Sequence, residues 1–130
     1  MPLVRISLIK RIDGLSAAIG RTVYQTMKNV LGVPDKDNFQ LIDEHSSDTF
    51  VYDPDYLGIT RTQDLVIIQI TLNEGRTTAA KKSFYAELAR RLNSEHGIRL
   101  EDVFVNLVEV KKENWSFGLG IAQYADETPT

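Results

Sequence analysis

The chain has 130 residues, 42% hydrophobic and 25% charged, a composition suited to one globular domain that buries its own core. Its net charge is -3 with no long lysine or arginine run, which argues against nucleic-acid and anionic-membrane partners. The absence of cysteine excludes disulfides and thiolate chemistry, and two histidines, His45 and His96, are too few for a histidine-rich metal site.

The apolar opening from Met1 to Ile9 is shorter than a signal peptide's apolar core plus its cleavage site. No stretch approaches the roughly 18–20 apolar residues that span a bilayer, so the expected location is cytoplasmic. Residues 3–9 alternate and are rich in β-branched side chains, which predicts a strand. After the polar turn from Lys10 to Gly14, Leu15, Ile19, Val23, Met27 and Val30/Leu31 recur at helical spacing. Gly32 followed by Pro34 stops that helix, because glycine accepts the left-handed position after the last turn and proline cannot extend it. A second strand is expected over Phe39 to His45, and residues 46–64 read as loop.

The pattern then repeats. Leu65 to Leu72 is a near-continuous apolar strand, expected to be buried on both faces. Asn73-Glu-Gly-Arg-Thr-Thr78 turns into a helix with Thr77 or Thr78 as its N-cap. Ala80, Phe84, Leu88 and Leu92 form its apolar stripe, and Gly97 ends it. Asp102 to Val110 is the last strand, and the glycines of Trp115-Ser-Phe-Gly-Leu-Gly120 mark a turn or hairpin. Strand–helix–strand twice over calls for right-handed parallel crossovers. The expected fold is α+β: two β-α-β units (2–64 and 65–130) forming a four-stranded mixed sheet with two helices on one face.

Five side chains carry possible chemistry. Pro2 follows the initiator methionine, which is generally removed before a small residue, leaving a secondary amine that can act as acid, base or nucleophile. A reference α-amino group titrates near ~8, and burial or a nearby cation lowers it towards base function. The plain alternative is a proline tolerated at a strand start. Arg76 lies just before a helix N-terminus, where the dipole opposes a cation by roughly 0.3–1 kcal/mol. Its fork beside free helix-terminal N–H groups suits a carboxylate, the alternative being a solvated arginine. Asp37 is a turn carboxylate that would stabilise a protonated amine or orient a water, and Asp35 is its rival for either role. Trp115 and Phe117 are either core residues or apolar walls that exclude water from a bound acid.

Together these residues resemble the tautomerase superfamily. Leu65 to Gln123 is similar to a short 4-oxalocrotonate tautomerase subunit, whose strand runs into Glu-Gly-Arg-Ser/Thr and a helix, here Glu74-Gly-Arg-Thr77. Over nearly the whole chain the likeness is closer to malonate semialdehyde decarboxylase and its homologues. It rests on Pro2-Leu3, Gly32-Val-Pro34 with Asp37, Phe39-Gln40, Leu57-Gly58, Thr60-Arg61, Asp102-Val103 and, most specific, Trp115-Ser-Phe-Gly118. The resemblance implies that Pro2 is the catalytic amine, Asp37 its assistant or a water-positioning group, Arg76 the carboxylate-binding residue, and Trp115 and Phe117 aromatic walls. It implies a homotrimer with sites completed at subunit boundaries, no cofactor, no metal, and a small carboxylate-bearing oxo acid as substrate. One departure is plain: some decarboxylases carry Arg-Pro-Arg after the third strand, and this chain has Asn73-Glu74-Gly75 there, leaving Arg76 to hold an acid.

Three activities fit. The first is decarboxylation of a short 3-oxo acid such as malonate semialdehyde, with protonated Pro2 polarising the aldehyde or forming an iminium with it. The second is keto–enol tautomerisation of a 2-oxo acid, with neutral Pro2 as base. The third is a non-catalytic oligomeric member of the fold, which retention of Met1 would favour, since the Pro2 nitrogen would then be an amide.

Overall fold

The computed structural model describes residues 2–126; Met1, and with it the expected methionine removal, lies outside them. Strand β1 (Leu3–Ile9), helix α1 (Leu15–Leu31) and strand β2 (Phe39–His45) form the first unit. Strand β3 (Val66–Asn73), helix α2 (Thr78–His96) and strand β4 (Val103–Val110) form the second, followed by a short helix α3 (Gln123–Asp126). The first three elements have the predicted bounds. β3 and β4 each begin one residue late, and the C-terminal segment is a turn and a helix rather than a hairpin.

The sheet order is β2-β1-β3-β4. β1 runs parallel to β2, β3 runs parallel to β4, and the two units meet antiparallel across β1 and β3. Each parallel pair therefore spans its own helix, as a crossover requires. Apolar positions decide the layering. Val4, Ile6 and Leu8 of β1 and Val66, Ile68, Ile70 and Leu72 of β3 meet Ile19, Val23 and Met27 of α1 and Phe84, Leu88 and Leu92 of α2. All are buried, each fully covered side chain contributing roughly 1.5–3 kcal/mol relative to exposure.

β3 departs from expectation. Its residues alternate, with Ile67 and Thr71 half-buried and Gln69 exposed, instead of being covered on both sides. Both helices lie on one face, and among the described residues the other is covered only at its two ends, by the 46–64 loop and by the segment after β4. On that open face the register aligns Leu3 with Phe39 and Thr71, Arg5 with Leu41 and Gln69, and Ile67 with Phe104.

The topology gathers several chain turns at one end of the sheet. β1 and β2 start there, β3 and β4 finish there, α1 ends there and α2 begins there. Local chemistry fixes these turns. Gly32 (φ 69) ends α1 and returns its N–H to the Met27 carbonyl. Gly75, at φ 122, makes a bend between β3 and α2 that a side chain would strain. Thr77 caps α2, its hydroxyl accepting the Ala80 N–H at 3.1 Å.

Candidate active site

Pro2 opens β1, a central strand, yet needs no ladder donor because it precedes the first paired residue. It is buried. With Leu3, Phe39, Trp115, Ser116 and Phe117 it lines a largely apolar cavity of about 220 Å3. Leu3 and Phe39 are partners across β1 and β2, so the sheet register builds one side of this cavity. The chain beyond β4 supplies the other, after a single 3-10 turn at Lys112–Asn114.

That second side is tied down at several points. Trp115 stacks on Phe117 with ring centroids 5.4 Å apart, and Phe117 meets Tyr124 edge-on at 5.0 Å. Gln123 grips the same turn twice, accepting the Phe117 N–H at 2.9 Å and donating to the Gly118 carbonyl at 2.8 Å. At the other end, the Trp115 indole N–H donates to Asn73 Oδ1 at 2.7 Å.

Arg76 reaches back over the same end. Its Nε and Nη2 donate to the Leu31 carbonyl at 3.3 and 3.1 Å, and its Nη1 donates to the Asn73 carbonyl at 3.4 Å. The arginine is half-buried, not a solvated surface residue. Its placement also resolves an electrostatic puzzle. A cation is unwelcome at the start of α2, but Leu31 is the last residue of α1, whose C-terminal carbonyls lack helical donors and attract positive charge. A guanidinium carries five N–H donors, and the backbone uses three. Among the described residues, one N–H on each terminal nitrogen is left without a hydrogen-bond partner, and such donors suit an anion.

The rival aspartates separate cleanly. Asp35 is exposed and paired with Lys28, whereas Asp37 is buried two residues before Phe39, at the Pro2 end of the sheet. Neither Asp37 nor Arg76 lines the cavity itself. Nearby, the Glu109 carboxyl is held below its ordinary value, chiefly by a hydrogen bond from Lys81 at 2.6 Å, with the Gly75 N–H and the Arg76 charge adding to it.

The histidines lie elsewhere: His96 shares a 2.7 Å hydrogen bond with Thr22 between the helices, and His45 packs near Phe50. Among the described residues no His, Cys, Asp and Glu cluster has a metal-holding arrangement, and no helix is long and apolar enough to cross a membrane. Asn73, Ser116, Gln123 and Tyr124 were not legible as site residues. Asn73 reads as a turn residue, and nothing in the sequence announces that Gln123 folds back on Phe117.

Comparison with known proteins identifies the family and the fold. A family model described as tautomerase enzyme matches residues 37–118. The probable tautomerase YusQ of Bacillus subtilis (strain 168) is 43% identical over 124 residues, covering 95% of this chain and 98% of its own. The crystal structure of FG41 malonate semialdehyde decarboxylase inhibited by 3-bromopropiolate superposes with a TM-score of 0.88 at 31% identity, covering 98% of this chain and 99% of that one. A fused 4-OT wild-type symmetric trimer, at 17% identity and a TM-score of 0.75 over 95% of this chain and 98% of its own, shares the fold.

Proposed function

This chain belongs to the tautomerase enzyme family, and from that membership we propose that it is a Pro2-dependent enzyme that decarboxylates a short 3-oxo acid such as malonate semialdehyde. The observation that carries the reading is Pro2 at an apolar cavity of about 220 Å3 walled by Trp115 and Phe117, with Arg76 tethered at the same end. The volume suits an acid of a few carbons. The extent of the likeness to the decarboxylase, 98% of the chain at 31% identity, supports the same choice.

The mechanism follows from the groups present, once Met1 is removed. The charged Pro2 amine donates a hydrogen bond to the aldehyde oxygen. Arg76 holds the carboxylate turned out of the carbonyl plane. The bond between the carboxylate carbon and its neighbour then breaks, its electron pair passing into the carbonyl system as an enolate. Carbon dioxide leaves, and a proton added at carbon gives the shorter aldehyde. Pro2 supplies positive charge at the oxygen where the enolate charge develops, Arg76 anchors the carboxylate until it leaves as carbon dioxide, and the aromatic wall keeps water from weakening both. Asp37 assists by favouring the charged amine.

The name of the 43% identical relative favours a second reading, a keto–enol tautomerase. There, neutral Pro2 takes the proton from the carbon beside the carbonyl of a 2-oxo acid and returns it to the other end of the enol system. Arg76 again holds the carboxylate.

We also assign the open sheet face to contacts between copies in a trimer. Leu3, Phe39, Leu41, Phe104 and Val108 are large apolar residues left exposed on that one face, and such patches mark interfaces. The similar fused 4-OT protein is a trimer.

The test compares the chain beginning at Pro2, verified by intact mass, with a form retaining methionine. Carbon dioxide release from malonate semialdehyde is expected in the first and reduced at least ~100-fold in the second, because acylation removes the acid–base group. Equal rates would overturn the role of Pro2. Nitrogen NMR titration separates the two activities. An amine titrating near ~9 supports decarboxylation, and one well below the reference of ~8 supports the tautomerase.

A further inference from the structure

We propose that Asn73 is a positioning residue whose side-chain amide holds Trp115 in the cavity wall at a distance referenced to Arg76. The inference rests on the reading that Trp115 and Arg76 flank the substrate. Asn73 ends β3, and its two oxygens face two different site residues: Oδ1 accepts the Trp115 indole N–H at 2.7 Å, and the backbone carbonyl accepts from Arg76 Nη1 at 3.4 Å. An indole can only donate, so the bond fixes which way the Asn73 amide points. The backbone of Asn73 is itself pinned, as β3 pairs Asn73 with Val110 and the next N–H, of Glu74, donates to the Val110 carbonyl at 2.9 Å. Indole and guanidinium are thus hung from one residue at a rigid strand end.

Trp115 has two kinds of restraint, and they act on different atoms. Phe117 stacks on its ring, and that contact lets the ring slide in its own plane. The bond to Asn73 is directional and removes that freedom. Without it, the half-buried indole N–H must find water, which drags the ring outward and wets the cavity. A wet, wider cavity holds the carboxylate less firmly against Arg76, so the effect falls on substrate binding more than on the chemical step.

Trp115 is the only tryptophan in the chain, so its fluorescence reports this contact without interference. N73A is expected to shift the emission to longer wavelength, and N73D, which keeps an acceptor oxygen, to restore it. In kinetics, N73A should raise KM for the oxo acid about tenfold, with kcat changed less than about twofold. In a W115F background, which keeps a ring but has no donor, N73A should add less than about twofold, because the two residues act through one bond. Should N73A fail to fold by circular dichroism, W115F alone is expected to give the same rise in KM. Unchanged emission in N73A, or a penalty of equal size in both backgrounds, overturns the proposal. If the wild-type protein turns over no oxo acid, quenching by propionate as a non-reacting carboxylate decides instead. Weaker propionate binding in N73A supports the inference even though the proposed function has failed, and equal binding overturns it.

Discussion

The two ends of the sheet carry similar residues and differ in what those residues hold together. At the far end, Val51, Tyr52, Tyr56, Arg61, Ile67 and Phe104 line a larger cavity, about 320 Å3. A buried aspartate, Asp102, lies at that end too. Yet its polar groups bind the chain's own loop. Arg61 Nη1 converges on the carbonyls of Asp53, Tyr56 and Ile59, and Asp102 takes the Thr62 N–H at 2.8 Å and the Thr62 hydroxyl at 2.6 Å. At the near end Arg76 spends its bonds tying the end of α1 to the end of β3, and the cavity is lined by Pro2 and a tethered aromatic wall. Arginine, aspartate and aromatics in one place do not make a site. What distinguishes the near end is that Pro2, the end of β3 and the start of α2 converge there beside an aromatic wall tied to the sheet.

Exchanging the two arginines for alanine is the sharpest way to break the comparison. R76A removes the carboxylate fork, and losing one partner of a desolvated ion pair costs roughly 2–4 kcal/mol, or about 30- to 1000-fold in kcat/KM. The loss should appear mainly in KM. R61A should leave kcat/KM within about twofold and lower stability instead, because its bonds only brace the 46–64 loop. Steady-state kinetics and urea melts on both variants check this. A larger kinetic loss for R61A than for R76A would invert the assignment of the two ends.

Asp102 sharpens the same contrast from the side of stability. It is fully buried, accepts two bonds from Thr62 and lies 3.7 Å from Arg99. D102A strands a backbone N–H and a hydroxyl, at about 1–3 kcal/mol. The denaturation midpoint should fall accordingly, with kcat and KM unchanged below the transition. A D102A protein of normal stability and impaired turnover would mean that the far end takes part in the chemistry.

How much of this was legible in advance divides along the same physical line. Local signals placed the elements: helical spacing from Leu15 to Leu31, Gly32 and Gly97 as stops, and a cap at Thr77 or Thr78, which the structure places at Thr77, all depend on neighbours in sequence. The tautomerase likeness named Pro2, Asp37, Arg76, Trp115 and Phe117, and the fold puts all five at one end. What could not be read were contacts between distant segments. Asn73 to Trp115 spans 42 residues, and Arg76 to Leu31 spans 45. The open face of β3 was missed for a related reason. Its β-branched residues look the same in sequence whether a helix or another copy of the chain covers them.

The smallest expected effect bears on whether the Arg76 fork is truly available. Glu109 is a carboxylate that feels the Arg76 charge, and the hydrogen bond from Lys81 is the main reason its pKa lies below 4.5. K81A should therefore raise the Glu109 pKa towards 4.5, read by carbon NMR of its carboxyl group. The linkage sign follows: a carboxyl depressed in the folded state adds stability above its unfolded pKa and loses it as pH falls through the folded value. The stability difference between wild type and K81A should thus be present at neutral pH and vanish once acid has protonated Glu109 in both. If instead Glu109 keeps its low pKa in K81A, it has turned to Arg76. The oxo-acid KM should then rise in that variant, since a carboxylate of the chain would be occupying the N–H groups proposed to hold the substrate's.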